Sequence, residues 1–180
     1  MSEFIVQVSM QEHVEFAEQI SKYIERFAQQ RGTGIAKRTP DYIRQKIVEG
    51  KSVIALHREE RLAGFCYIES WEGQKYIANS GLIVMPEFRK KGLAKAIKLE
   101  AFKLSRSKFP DSSLFGLTTS LAVMKINSEL GYRPVTFSEL TQEETFWAGC
   151  QSCVNYDILC RTNFKRCLCT GMLYVPEEAK

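Results

Sequence analysis

No apolar run in the sequence approaches the ~20 residues that a membrane-spanning helix needs, which excludes a transmembrane reading. The opening Met1-Ser2-Glu3-Phe4-Ile5-Val6 lacks the basic region and long apolar stretch of a secretory signal, so the cytoplasm is the expected compartment. Internal repeats, low-complexity tracts and linkers are also lacking, and the 180 residues are expected to form one domain over 1–180. Histidine is scarce: His13 and His57 are the only two, and both read as structural or exposed rather than catalytic. The net charge is a mild +4, with basic residues scattered rather than striped. That disfavours nucleic acid and suits an anionic small molecule.

Against these absences stand six cysteines. Without an export signal they are expected to be reduced. Cys150-x-x-Cys153, Cys160 and Cys167-x-Cys169 cluster late, and a zinc site can be built from such pairs. The second pair departs from the usual Cys-x-x-Cys spacing, so small buried thiols are the expectation and no metal is assigned.

Most of the information lies in residues 76 to 107. Tyr76 to Val84 is apolar and ends before Pro86, which cannot donate to a sheet ladder, so a buried strand ends near Val84. Arg89, Lys90, Lys91 and Gly92 follow. Leu93, Ala96, Ile97, Ala101 and Leu104 then recur at helical spacing, so a helix starts near Gly92. A strand, a basic glycine loop and a helix form an anion site, because the helix start offers unpaired N–H groups and the positive end of its dipole. No Gly-Lys-Ser/Thr follows, and the three-glycine dinucleotide pattern is missing. Phosphate held on the loop backbone remains the natural reading.

Elsewhere the periodicity gives a strand at 3–9 and a helix from about 12 whose stripe is Phe16, Ile20, Tyr23, Ile24 and Phe27. Gly32 and Gly34 should stop that helix. Thr39 and Pro40 open another, reaching about Glu49. Residues 52–57 and 62–71 read as a hairpin joined by Arg58-Glu59-Glu60-Arg61. After the central helix come a strand at Leu114 to Thr118, a helix marked by Val123, Ile126 and Leu130, and a strand after Tyr132. A capping box at Thr141-x-x-Glu144 predicts a short helix over 141–149, and Cys167 to Val175 reads as the last strand.

Arg89-Lys90-Lys91-Gly92-Leu93-Ala94, preceded by Leu82-x-Val84-x-Pro86, resembles the pyrophosphate loop of the GNAT acyl-CoA N-acyltransferases. The element order resembles theirs too, which implies an α/β fold with a mixed, largely antiparallel central sheet flanked by helices on both faces. In that fold the strand ending at Val84 and the one at Leu114 to Thr118 splay apart, and the pantetheine arm of acetyl-CoA or another acyl-CoA fills the gap. The resemblance implies cofactor contacts at Leu82, Ile83 and Val84, at Arg89, Lys90, Lys91, Gly92, Leu93 and Ala94, and at Ser120. A backbone N–H near Ile83 or Val84 would serve the thioester oxygen.

Three further segments resemble the acetyltransferase half of bacterial N-acetylglutamate synthases: Gln29-Gln30 through Gly34-Ile35-Ala36-Lys37-Arg38-Thr39, Leu117-Thr118-Thr119, and Gly131-Tyr132-Arg133-Pro134-Val135. They imply a small-molecule amine partner, glutamate first, with self-association left open. The amino-acid-kinase-like half that often precedes that domain is missing from the sequence, which would remove arginine feedback through it. Carboxylates are held best by arginine forks, which makes Arg31, Lys37, Arg38, Arg161, Lys165 and Arg166 candidates, Arg38 foremost. Lys37, Arg38 and Arg161 are the assigned substrate contacts. Many GNAT members place a tyrosine at position 127 and an asparagine at 120, whereas this chain has Asn127 and Ser120. Asn127 is the candidate donor to the leaving sulfur and Glu69, on the preceding strand, the candidate base. These departures keep open a CoA-binding sensor without catalysis, and the late cysteines a zinc-stabilised interaction module.

Overall fold

The computed structural model describes residues 3–29, 35–58 and 61–176. Gln30, Arg31, Gly32, Thr33 and Gly34, between the first two predicted helices, and Glu59 and Glu60 of the hairpin turn lie outside the described residues. β1 (Phe4–Val8) is followed by a 3₁₀ turn and α1 (Ala17–Ala28), then α2 (Pro40–Val48). Thr39 caps α2 as its sequence predicts, its hydroxyl accepting from the Tyr42 N–H. β2 (Ser52–His57), β3 (Leu62–Trp71) and β4 (Tyr76–Val84) form an antiparallel meander. α3 (Leu93–Lys108), β5 (Ser113–Thr118), α4 (Leu121–Glu129), β6 (Arg133–Val135), α5 (Glu144–Ala148), α6 (Tyr156–Arg161) and β7 (Thr170–Tyr174) complete the chain.

The strands form one sheet in the order β1-β2-β3-β4-β5-β7-β6, antiparallel throughout except for β4 and β5, which run parallel. Side chains alternate across it. From β3, Phe65, Tyr67 and Glu69 face the side of α1 and α2, while Cys66 and Ile68 face α3. Both faces are covered, so β3 buries its first seven residues without the polar alternation of a half-exposed strand. One core joins α1, α2 and α3 to β1–β4 and runs on under α3 to Leu114 of β5 and Met172 of β7, and on the other face a smaller cluster of Phe115, Phe137, Leu140, Trp147, Leu159 and Leu173 packs α5 and α6 onto β5 and β7.

Several expectations need correction. On α3, Ala96 is exposed and Lys98 takes its place on the buried face. On α4, Val123, Ile126 and Leu130 are only half-buried, and the enclosed residue is Asn127. Thr141 does not cap a helix: its hydroxyl donates to Glu72 Oε1 at 2.7 Å, so α5 begins later, after Glu143. The reciprocal capping box falls instead on Thr136 and Glu139. The last strand is shorter than read, leaving Cys167 and Cys169 in the irregular chain before β7. α6 has no counterpart in the sequence reading.

Candidate functional site

The loop between β4 and α3 carries the anion-binding geometry. Lys90 (φ 61) and Gly92 (φ 77) are both left-handed, which turns successive backbone N–H groups toward one side. A Cβ built on Gly92 would meet nothing within 4 Å, so the space over the loop backbone is open. α3 starts there with no side-chain cap and no acidic residue in its first turn, leaving its first N–H groups free for an anion. Arg89 donates to the Val84 carbonyl at 3.2 Å and packs over the Phe27 ring, Lys91 pairs with Glu3 at 2.7 Å, and Lys90 is exposed.

Beside this loop the sheet opens. β4 and β5 pair only at Tyr76–Ser113, Ile77–Leu114 and Ala78–Phe115, although β4 runs on to Val84 and β5 to Thr118. Past Ala78 the β4 backbone has no β5 partner, and the two strand ends form a wedge. A bulge sharpens it. Tyr67 faces Ser80 and Phe65 faces Ile83, so β4 carries one extra residue opposite Cys66. Gly81 (φ 66) makes this turn, and any Cβ there would stand 2.4 Å from the Tyr67 ring.

On the α1 and α2 side the wedge runs into a cleft of ≈ 360 Å³ whose walls include Arg38, Tyr42, Tyr67, Glu69, Ser80 and Phe146. Arg38, Tyr67, Ser80, Phe146 and Gly149 also line the narrow space between Gly81 and Gly116, so the two are continuous. Arg38 is half-buried, donates from Nε to the Tyr67 hydroxyl at 2.8 Å and lies over the Tyr42 ring at 5.2 Å. Burial works against its charge, but the facing Tyr67 and Tyr42 oxygens more than offset that and raise its pKa. Glu69 accepts from Lys46 Nζ at 2.5 Å with one oxygen and from the Tyr42 hydroxyl with the other. Burial raises the pKa of both Tyr42 and Tyr67, so both stay neutral, the Tyr42 hydroxyl donating to Glu69 and the Tyr67 hydroxyl accepting from Arg38.

No protein-family model matches the sequence, and no curated protein matches it either. Solved structures do. N-acetylglutamate synthase from Neisseria gonorrhoeae, complexed with coenzyme A and N-acetyl-glutamate, superposes at TM-score 0.67 and 15% identity over 97% of this chain and 35% of that one. The chain thus spans about a third (35%) of that protein's length. Rv2747 from Mycobacterium tuberculosis, in complex with CoA, matches at TM-score 0.66 and 14% identity over 95% of this chain and 98% of that one. A GNAT superfamily phosphinothricin acetyltransferase from Sinorhizobium meliloti, in complex with AcCoA, matches at 0.62 and 14% over 97% and 89%. The chain has the GNAT fold.

Within the GNAT fold, the residues singled out from the sequence are not all brought together. Arg38, Lys37 and Glu69 share the cleft. Lys37 is exposed and pairs with Glu25 at 3.4 Å. Arg161 lies on the open side of α6, paired with Asp157 on the same helix, and is not among the residues lining the cleft. Lys165 and Arg166 border a different hollow beside α5 and α6. Asn127 is enclosed between α4 and β7, donating from Nδ2 to Met172 Sδ at 3.7 Å, and lines neither wedge nor cleft. The Ser120 hydroxyl is used as the cap of α4, accepting from the Val123 N–H at 3.3 Å. His13 is buried and bound to the Met10 N–H, and His57 stacks on Phe88, as structural histidines would be.

Sequence reasoning missed Tyr42, Lys46, Tyr67 and Gly81. Two signals pointed to the last two: Tyr67 and Glu69 are two apart on one strand and must share a face, and a glycine inside an apolar strand marks a bulge. Cys150 also lines the wedge and Cys169 an adjoining small pocket, their thiol pKa values raised by burial, that of Cys150 to about 11. They are protonated at neutral pH and are poor nucleophiles.

Proposed function

We propose that the protein is an N-acyltransferase moving an acyl group from acetyl-CoA, or a related acyl-CoA such as succinyl-CoA, to the α-amine of a small acidic amino acid. Glutamate fits best, which would place the reaction in cytoplasmic arginine synthesis. The reading rests above all on Arg38: a fork held by Tyr67 and Tyr42, in a cleft that opens into the wedge between β4 and β5. An arginine so preorganised suits a carboxylate. Coenzyme A in two of the similar structures named above and AcCoA in the third support the donor side.

The donor would supply a thioester, an acyl carbon already activated for attack. The loop N–H groups of Gly92 to Ala94, with Arg89, Lys90 and Lys91 around them, take the pyrophosphate. β4 backbone N–H groups beyond Ala78, freed where the strands part, donate to the thioester oxygen as negative charge grows on it. Arg38 holds the acceptor carboxylate and Glu69 faces its amine. Glu69 is already engaged by Lys46 and Tyr42, so it receives the ammonium proton from a fixed position, directly or through a water. The departing thiolate, whose parent thiol has a pKa near ~8.5, leaves without a strong acid.

One observation favours a second reading. Asn127 is enclosed, and no tyrosine stands at that place to protonate sulfur, as expected of a CoA-binding sensor that has lost turnover. A screen separates the two. Free-thiol release from acetyl-CoA and succinyl-CoA, measured with each amino acid, with polyamines and with peptide lysines, should be fastest with glutamate. Faster release with polyamines or peptide lysines would sink the acidic-amino-acid reading, and tight acyl-CoA binding without turnover on any acceptor would favour the sensor.

A further inference from the structure

Four of the late cysteines meet in one place. Cys150, Cys153, Cys167 and Cys169 line a pocket of ≈ 40 Å³ between α5, α6 and the approach to β7. That volume suits one ion or one water. The sulfurs arrive in two pairs from separate stretches of chain, Cys150 and Cys153 at the 3₁₀ turn after α5 and Cys167 and Cys169 before β7. Two Cys pairs from two stretches are how tetrahedral thiolate sites are assembled.

A second, independent observation is Asn155. It lines the same pocket, is fully buried, and neither its Nδ2 nor its Oδ1 has a partner. Its backbone N–H donates to Cys153 Sγ at 3.5 Å, and Cys167 Sγ donates to its carbonyl at 3.8 Å. A buried amide donor left unpaired is costly, and a neutral thiol is a poor acceptor for it. An ionised sulfur is a strong one.

We propose that this pocket binds one soft divalent cation of the zinc class on the sulfurs of Cys150, Cys153, Cys167 and Cys169. Four thiol protons leave as four sulfur–metal bonds form, so a 2+ ion ends as a complex of net charge −2. Asn155 Nδ2–H and the Arg38 guanidinium, whose charge already acts on Cys150, offset that charge. Among the described residues no three His, Cys, Asp or Glu stand at ligand spacing, so loading draws the sulfurs inward. The segments bearing them are short turns and irregular chain, which yield to such a shift more readily than a strand interior. Cys150 also lines the wedge, and Gly149 packs toward Arg38, so the ion would fasten the cleft wall that carries them.

Protein purified without chelator from zinc-supplemented cells should hold one zinc per chain by elemental mass spectrometry. Cys153→Ser and Cys167→Ser should each reduce this at least tenfold, while Cys160→Ser, exposed and outside the pocket, should not. A serine variant that fails to fold loses metal trivially, so the intact chain is also stripped with chelator and titrated with Cd²⁺. A sulfur-to-metal charge-transfer absorption saturating at one equivalent is expected. Its absence from the folded, reduced chain would overturn the proposal. So would equal metal loss in Cys160→Ser, or disulfides joining these pairs in freshly purified protein.

Discussion

The Arg38 guanidinium has donors to spare. One N–H is used on Tyr67, another on the Lys37 carbonyl at 2.8 Å, and the rest of the fork faces the cleft. Charge-assisted hydrogen bonds contribute about 1.5–3 kcal/mol each. Arg38→Ala should therefore raise the acceptor KM by about 10- to 100-fold with acyl-CoA affinity unchanged, as steady-state kinetics and calorimetry would show. Equal loss for both ligands would point to a folding defect. Lys98 is a different kind of residue: 3% exposed, with its Nζ 5.8 Å from the Tyr132 ring centroid. Burial lowers its pKa, and the facing Cys66 only partly resists this. In the unfolded chain the amine titrates at its ordinary ~10.4, so between the folded and unfolded values the unfolded state binds more protons and stability rises with pH. Lys98→Met should raise Tm by roughly 2–4 °C per kcal/mol recovered. The gain should be largest at acidic and neutral pH and fade as pH nears the ordinary lysine value. A gain that is the same at every pH would show that no ionised amine is being relieved.

At the scale of elements, the loop before α3 works through backbone that must stay bare. Valine at position 92 would meet no protein atom, but it would be strained at φ 77 and would fill the space where an anion sits. Gly73 has φ 59 and is equally uncrowded, so it carries the same backbone cost without the site. Gly92→Val should abolish acyl-CoA binding by calorimetry, whereas Gly73→Val should lose only a comparable few degrees of Tm. If both keep affinity, the loop does not hold the pyrophosphate. This loop, with its flanking strand and helix, was legible because proline, glycine and a 3.6-residue period act locally. β2 and β3 were legible to the residue because two apolar runs flank a short polar turn, which is also a local signal. The Thr141 capping box failed because a residue far along the chain, Glu72, takes its hydroxyl. Lys98 was not among the residues read onto the apolar face of α3, because a single sequence does not reveal that α3 is covered on that turn. The grouping of Arg38 with Tyr67 and Glu69 depends on packing between α2 and β3, which no local pattern encodes. Arg161 was chosen for its charge alone, and its helix turns it toward solvent.

Taken whole, the molecule has two packed regions that share the α3 face of the sheet and part along a seam on the α1 and α2 face. The large core and the smaller cluster under α5 and α6 share the sheet, yet β4 and β5 are tied by three residue pairs before they part. On the α1 and α2 side the seam is the cleft itself, with Ile35, Arg38 and Tyr67 on one wall and Phe115, Phe146 and Cys150 on the other. A ligand lying in the wedge touches both, so its binding energy acts on the coupling between the regions and not only on the loop. At ligand concentrations of about 100 times Kd the folded chain gains roughly 2.7 kcal/mol. Hydrogen exchange should report where that gain is spent. Amides of the β4–α3 loop should slow on adding acyl-CoA by direct contact, and those of β5, β7 and α5 should slow with them, although most are remote from the phosphates. Adenosine diphosphate, which can fill the loop but carries no pantetheine arm, should protect only the loop. Protection confined to the loop with both ligands would mean that the wedge is not where the acyl arm lies, and the seam would then be a feature of packing alone.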